Sequence, residues 1–453
     1  MSNAGPYDVF VIGAGPGGYS AAVLAAKKGL RVGIAEGSNL GGTCTNTGCI
    51  PAKSYIESVN LLARVRAASK FGIEAGGATL DFAKVKARKD RIVKRLTKGI
   101  DYLLRQNGID LFPHNATVRE PGVIQAGDAT VRTRFTIVAT GARPNRLEVL
   151  NGSGYWTSDE VFEVDALPGS LSIIGAGAVG MEMAHIFSSL GVKVTLIEAL
   201  ERILPLEMRH VSEYMAKVCH KLEILTSSRV EAVERSGPWR LSVNTPAGEK
   251  IVEAEKILVS TGRRPVVPGG LEELGIGLTG TGGIRTDGHM RTSLEGVYAV
   301  GDATGEHMYA YVATREAAAA VEHLAGGGGE ISYRNIPSVV FTNPEVASVG
   351  DLPDGIDPAD CRVGTFPLSA LGRARTMEEH DGYARITATR EGRLLRVTIV
   401  APHATELITW AALAIDRGLT VEEFLRPYCP HPVLGEILKE AAEDILGVSV
   451  HHP

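Results

Sequence analysis

Two glycine-rich segments built to one spacing constrain this chain more than any other feature. The β-prone run Tyr7-Asp8-Val9-Phe10-Val11-Ile12 leads into Gly13-Ala14-Gly15-Pro16-Gly17-Gly18, then an alanine-rich helical pattern, then an apolar stretch from Leu30 to Ala35 that closes on Glu36. The order repeats: Leu171-Ser172-Ile173-Ile174 runs into Gly175-Ala176-Gly177-Ala178-Val179-Gly180, a helical stretch through Leu190, and Lys193 to Ile197 closing on Glu198. First glycine and acid are 23 residues apart in both copies. This is the βαβ unit for a dinucleotide: the glycines allow a tight turn and close backbone approach, the helix N-terminus offers amides to a pyrophosphate, and the acid can accept from a ribose hydroxyl. One such pattern is weak evidence; two with the same interval imply two dinucleotides and an α/β fold with two Rossmann-like domains.

The rest of the composition fits such a globular chain. Its 453 residues are 44% hydrophobic and 22% charged, with Lys+Arg 47 against Asp+Glu 52 for a net charge of −5. No block of basic residues stands out, so neither nucleic acid nor an anionic membrane is expected as partner, and a small molecule or another protein is. The longest charge-free apolar stretch, Val9 to Ala26, is broken by Gly13, Gly15, Pro16, Gly17 and Gly18 and reads as strand and turn, not a membrane span. With no secretory leader pattern the expected address is cytoplasmic, and Ser2-Asn3-Ala4 reads as a cloning remnant. Five cysteines are too few for a disulfide framework in so long a chain and leave room for one special pair.

Between the two units the pattern gives a helix from Ser54 to Ala68, a charged helix from Phe82 to Gln106, and a strand, Phe135 to Val138, ending at Ala139-Thr140-Gly141. A similar exit, Ile257 to Gly262, closes the second unit, and Gly296 to Asp302 is another strand with a small-residue turn. Gly326 to Gly329 is flexible punctuation, and a final domain of mixed β and helical pattern begins near residue 332.

The special pair lies in Gly41-Gly42-Thr43-Cys44-Thr45-Asn46-Thr47-Gly48-Cys49-Ile50-Pro51-Ala52-Lys53, where two cysteines separated by four residues lead into a helical pattern. One helical turn is expected to bring the sulfurs together, and a helix N-terminus with Lys53 nearby to favour thiolate. A half-built metal site or two buried thiols are the bland readings; with no second Cys/His cluster to complete a tetrahedral set, no metal is expected and redox exchange is preferred.

Taken together, the G-G-T-C-x-N-x-G-C-I-P-x-K segment, Ala139-Thr140-Gly141, Gly301-Asp302, the run Pro337 to Ala347 and His431-Pro432-x-x-x-Glu436 resemble the flavin-dependent pyridine nucleotide–disulfide oxidoreductases of class I, nearest their dihydrolipoamide dehydrogenase branch, over essentially the whole chain. The resemblance implies an FAD-binding domain at 1–145 and 266–331, an NAD-binding domain at 146–265, and a C-terminal α+β dimerisation domain at 332–453. It places FAD on Gly13, Gly15, Gly18, Glu36, Thr43, Lys53, Ala116, Thr140, Gly141, Asp302, Met308 and Ala310. It places NAD on Gly175, Gly177, Gly180, Glu198, Val230 and Gly262; a carboxylate at Glu198 suits a free 2′-hydroxyl and would repel the extra phosphate of NADP.

The resemblance further implies that Cys44 exchanges with substrate while Cys49 faces the flavin, that Glu182 partners Lys53, and that His431, held by Glu436, is the base, acting on the disulfide of the other subunit of a homodimer. Electrons would then pass from a dihydrolipoyl group, on a separate carrier protein, through the pair and FAD to NAD. Two further readings stay open: a related NAD(P)H-dependent reductase of another small or pathway-specific disulfide, and a non-catalytic flavin-binding assembly component. The chain departs from the family pattern at Cys429, Val433, Tyr311 and Arg396, which bears on the substrate more than on the reaction class, and Cys219 and Cys361 read as structural.

Overall fold

A computed structural model describes residues 6–150, 154–235, 237–352 and 360–452; the reading of Ser2-Asn3-Ala4 lies outside them. The chain divides into two compact units, the first made of Met1–Tyr55, Asp81–Leu167 and Leu258–Ser332, the second of Ile56–Leu80, Pro168–Ile257 and Tyr333–Pro453.

In the first unit β1 (Tyr7–Ile12) lies between β2 (Val32–Ala35) and β6 (Ala129–Val138), parallel to both, with Val11 opposite Ile34 and Ile137. Covered on both faces, it can be apolar at nearly every position, and Val9, Phe10 and Val11 are fully buried. Beyond β2 runs β3 (Asp110–Phe112), and β17 (Val297–Ala299) lies parallel to the end of β6. The first half of β6 instead pairs antiparallel with β5 (Val123–Ala126), which pairs with β4 (Ala116–Glu120), so the strand predicted from Phe135 begins six residues earlier. Helix α1 (Pro16–Lys27) packs closely on α7 (Ala310–Leu324) because small residues line the contact: a Cβ on Gly17 would meet Val300 and Ala313, and Ala21, Ala22, Ala317 and Ala320 are buried. Two short pairings complete the unit, β7 (Ala142–Pro144) with β16 (Arg263–Pro265), and β8 (Trp156–Thr157) with the end of β15 (Lys256–Val259).

Three helices of this region carry the redox segment and its neighbour. They are α2 (Gly42–Asn46), α3 (Cys49–Arg66) and α4 (Phe82–Gln106), the last capped by Asp81, whose carboxylate accepts from the Lys84 amide. Helix α3 begins at Cys49 itself, five residues before the sequence pattern suggested.

In the second unit β9 (Ser170–Ile174), β10 (Lys193–Ile197) and β11 (Glu223–Leu225) form a parallel set in the order β11-β10-β9, with α5 (Ala178–Ser189) between the first two in sequence. After α6 (Arg209–Val218), strands β12 (Arg229–Arg235), β13 (Trp239–Thr245) and β14 (Gly248–Ala254) make an antiparallel meander. The C-terminal part is an antiparallel sheet of β18 (Ser338–Val340), β19 (Glu345–Gly350), β20 (Arg362–Pro367), β21 (Tyr383–Ala388) and β22 (Leu394–Ala401), in the order β18-β19-β22-β21-β20. One face of it is apolar, and Val349, Ile386, Val397 and Ile399 pack with Ile408 and Ala411 of α9 (Ala404–Asp416) and Ile437 and Ala441 of α11 (Glu436–Leu446). Short helices α8 (Gly372–Thr376) and α10 (Val421–Phe424) fill the connections. Arg396, one of the departures from the family pattern, donates to the Gly350 carbonyl at 2.8 Å and to Asp351 at 3.1 Å and lies 3.6 Å from buried Glu207, so it is a structural tie within this unit. No helix among the described residues is long and apolar enough to cross a membrane.

Candidate active site

The first glycine turn is shaped by backbone crowding. Gly13 has φ +98°, and a Cβ there would lie 2.4 Å from the Ala139 carbonyl oxygen; a Cβ on Gly18 would lie 1.9 Å from the oxygen of Gly13. Any side chain at either position would break the turn or lift α1 off the strand. Gly15 is different: its nearest neighbour in that test is 3.9 Å away, so the space its missing side chain leaves is open. Two glycines demanded by packing around one that leaves room at the helix N-terminus is the division of labour a pyrophosphate site needs. In the second copy Gly175 has φ +104° and Gly177 has nothing within 4 Å of its would-be Cβ, while Gly180 is buried within α5.

The two acids repeat as faithfully as the glycines. Glu36 accepts from the amides of Ala14 and Ser38, both at 2.8 Å; Glu198 accepts from Ala176 at 2.6 Å and Leu200 at 2.9 Å. Each carboxylate thus ties the glycine turn to the end of the second strand and keeps lone pairs for a further donor. Ala116 lies at the start of β4, one residue past Asn115, whose side chain occupies the space above Gly37. Val230 pairs with Val243 beside a bulge, half-buried.

Cys44 and Cys49 lie in hydrogen-bond contact, but not on one helix as expected. Cys44 belongs to the five-residue α2 and Cys49 opens α3, because the amide of Thr47 closes α2 on the Thr43 carbonyl and Gly48 starts the next helix, its carbonyl accepting from Ala52. The expectation of a favoured thiolate also needs correction at Cys44. Its thiol is pushed far up by the hydrogen bond to Cys49, by burial and by the charge of Cys49; Lys53 acts in the opposite direction and Asp302 adds a little upward. Two sulfurs this close cannot both carry charge, so ionisation belongs to the pair.

The segment is anchored from within the first unit. Asn46 donates to the carbonyls of Leu40 at 3.0 Å and Gly42 at 2.9 Å, and accepts from Thr97 of α4 at 3.5 Å. Ser54, next to Lys53, accepts two bonds from Arg88 of α4, at 2.9 Å through its carbonyl and 3.0 Å through its hydroxyl. Arg263 reaches the same region: it donates to Ser158 at 2.9 Å, Asp159 at 3.0 Å, the Ala142 carbonyl at 2.7 Å and the hydroxyl of Thr43 at 3.4 Å. It also restrains Asp302, whose carboxyl is raised by burial and lowered by Arg263. Its Nε is buried with no hydrogen-bond partner among the described residues. Sequence reasoning missed Arg263, Asn46 and Arg88; Arg263-Arg264-Pro265 directly after the Thr261-Gly262 turn was the available signal for the first.

The other predicted residues fall as follows. The Thr140 hydroxyl donates to the Val266 carbonyl, and Gly141, at φ +70°, accepts from the Val266 amide at 2.9 Å. Gly262, at φ +99°, accepts from the Asn145 amide at 3.0 Å. Asp302 sits in a short turn after β17, and Met308 and Ala310 lead into α7, half-buried. In the second unit Glu182 is buried in α5 and accepts from the Phe341 amide at 3.1 Å. His431 and Glu436 form the predicted pair, Nδ1 to Oε1 at 2.8 Å, with the second oxygen of Glu436 accepting from the Val433 amide at 3.0 Å. The imidazole is three-quarters exposed while Glu436 is mostly covered, which leaves Nε2 presented outward on a held ring.

The basic content of α4 corrects the compositional reading. The helix carries nine Lys and Arg against two Asp, a basic block in a chain of net charge −5.

Comparison with known proteins agrees with this geometry. The pattern of the pyridine nucleotide-disulphide oxidoreductases matches residues 7–317, and that of their dimerisation domain matches residues 336–442. A dihydrolipoyl dehydrogenase of Thermus scotoductus is 36% identical over 456 residues, covering 98% of each chain, and one of Bacillus subtilis is 34% identical over 470 residues, covering 98% of this chain and 99% of its own. Among solved structures, LpdA from Mycobacterium tuberculosis is similar with a TM-score of 0.88 at 28% identity, covering 96% of this chain and 98% of that one. The HOCl-induced flavoprotein disulfide reductase RclA from Escherichia coli gives 0.86 at 25% identity, covering 96% and 99%.

Proposed function

Because the chain belongs to the pyridine nucleotide-disulphide oxidoreductase family, we propose that it is a dihydrolipoyl dehydrogenase that oxidises a dihydrolipoyl group and reduces NAD. The observation that carries the reading is the contact between Cys44 and Cys49 beside Lys53 and Asp302, in the unit that holds the first glycine turn. FAD is held by the turn at Gly13, Gly15 and Gly18 with Glu36, Thr43, Lys53, Ala116, Thr140, Gly141, Asp302, Met308 and Ala310. NAD is held by Gly175, Gly177 and Gly180 with Glu198, Val230 and Gly262. The FAD domain comprises 1–145 and 266–331, the NAD domain 146–265, and the dimerisation domain 332–453. The relatives' dimerisation domain supports a homodimer.

In this reading the substrate dithiol gives up two electrons and two protons, and the disulfide of Cys44 and Cys49 becomes a dithiol. Cys44 forms and releases the mixed disulfide, and Cys49 receives the electron pair. His431, acting on the disulfide of the other subunit, takes the proton of the attacking substrate thiol at Nε2, while Glu436 holds Nδ1 and the ring orientation. Lys53 supplies positive charge beside the cysteines. FAD, when bound, would supply the chemistry that passes that electron pair to NAD as hydride, with one proton released. The dihydrolipoyl group arrives on a separate carrier protein, in the cytoplasm.

Steady-state assays with dihydrolipoamide and NAD, and in reverse with glutathione disulfide and mercuric ion, test the proposal. Dihydrolipoamide should be turned over fastest; a clear preference for either of the others would reassign the substrate. Anaerobic titration tests the disulfide separately: it adds about two electrons to the two taken by the flavin, and Cys44→Ser should remove that addition. Equal uptake in both proteins would remove the cysteine pair from the reaction.

A further inference from the structure

The outer face of α4 gathers positive charge that nothing in the proposed chemistry uses. Of its nine cations, Lys84 pairs with Asp81, Lys86 with Asp165, Lys89 with Asp90 and Glu163, and Arg105 with Asp101, while Arg88 is committed to Ser54. Arg91, Lys94, Arg95 and Lys98 are exposed and make no ion pair among the described residues. At 100° per residue they occupy one side of the helix, opposite buried Lys89, Ile100 and Leu104. Exposed Tyr102 extends the same face.

The position of this stripe gives it meaning. Thr97 sits between Arg95 and Lys98 in sequence and hydrogen-bonds Asn46, two residues from Cys44, and the side chain of Ile100 lies over Gly41. Helix α4 is therefore a wall of the redox segment. At 1.5 Å per residue the stripe from Arg91 to Lys98 spans about 10 Å along the axis, all of it within about two turns of the Thr97 contact. A surface of one sign beside a reaction centre raises encounter rates with bodies of the opposite sign.

We propose that Arg91, Lys94, Arg95 and Lys98 form a docking surface for an acidic protein, the carrier that delivers the dihydrolipoyl group to Cys44. This rests on the proposed function for the identity of the cargo, and on the charge and placement of α4 for the sign of the partner. A nucleic acid fits less well: the chain as a whole is anionic, so a polyphosphate long enough to leave the stripe meets repulsion.

The test compares the wild-type holoenzyme with Arg91→Glu/Lys94→Glu/Lys98→Glu, whose side chains are exposed and lie outside the cofactor and cysteine sites. The substrates are free dihydrolipoamide, which is neutral, and the same group on a recombinant lipoyl domain of net negative charge. At 20 mM NaCl the variant should keep kcat/KM for free dihydrolipoamide within about twofold and lose about tenfold or more for the domain-borne group, and the difference should shrink at 200 mM NaCl. Equal losses on both substrates, or no loss on the domain, would overturn the proposal. Should the wild type oxidise neither substrate, the functional reading fails, and docking is read by fluorescence anisotropy of the labelled lipoyl domain. Salt-sensitive binding lost on charge reversal supports the surface, and binding equal in both proteins overturns it. Tighter binding of a 20-nucleotide single-stranded DNA than of the lipoyl domain at 150 mM NaCl, abolished by the same substitutions, would also overturn it in favour of nucleic acid.

Discussion

Replacing Cys49 by alanine should bring the ionisation of Cys44 down by about three pH units. A second charge about 4 Å from a first costs about 4 kcal/mol at an effective dielectric of about 20, which corresponds to about three pKa units. In the reduced protein Cys44 is raised first by the hydrogen bond to Cys49, then by burial, then by the charge of Cys49, against the single downward influence of Lys53. Cys49→Ala removes the first and third of these and leaves burial and Asp302 to be offset by Lys53. Thiolate is the species that alkylates, so the rate at Cys44 reports its ionisation directly. Wild-type and variant proteins, reduced with dithiothreitol and desalted, are treated with iodoacetamide between pH 6 and 11, and modification of Cys44 is followed by peptide mass spectrometry. The variant's profile should move to lower pH, and at pH 8 its rate should rise by up to about a thousandfold. A profile that moves by less than one unit would show that burial, not the neighbouring sulfur, governs Cys44, and would refute the account of the pair given above.

Four other substitutions test separate parts of the site. His431→Gln and Glu436→Gln should each lower turnover by about 100-fold or more with flavin content unchanged; loss of flavin in step with activity would point to a structural role instead. Glu198→Arg should raise the NADP to NAD preference, and because the amides of Ala176 and Leu200 each lose a charge-assisted bond of about 1.5–3 kcal/mol, it should also lower the thermal midpoint. An unchanged nucleotide ratio would remove Glu198 from cofactor choice. Arg263→Met gives up a partly exposed ion pair of about 1 kcal/mol and a charged bond to the Ala142 carbonyl of about 1.5–3 kcal/mol, so the urea midpoint should fall measurably. No change there would mean that water replaces the guanidinium without cost.

The dinucleotide units were legible because their constraint is local. A glycine at φ near +100° and an acid one strand later are demanded by backbone geometry within 23 residues, so the sequence carries them directly. The pair His431 and Glu436 was legible only through the family resemblance, since an acid five positions after a histidine is by spacing alone an ordinary structural pairing. Arg263 was not, because its four acceptors come from Thr43, Ala142, Ser158 and Asp159, and no spacing in the chain encodes their convergence. The break between the two cysteine helices escaped the pattern because Thr47-Gly48 separates them by only two residues, too few to disturb a helical period. The basic face of α4 was hidden by averaging: a net charge of −5 over 453 residues conceals nine cations gathered on one helix.

The two cysteine helices differ in mechanical compliance. Parting a disulfide takes the sulfurs from about 2 Å to a van der Waals separation of about 3.5–4 Å, so one of them must give way. Cys49 opens an 18-residue rod wedged in place by Ala52 and Tyr55, whereas Cys44 rides a five-residue coil preceded by Gly41 at φ +92° and beginning at Gly42, φ +56°. The travel of each catalytic cycle is therefore expected on the Cys44 side, a latch held by Asn46 against a fixed jamb, and stiffening those two glycines should slow the stroke without touching either sulfur.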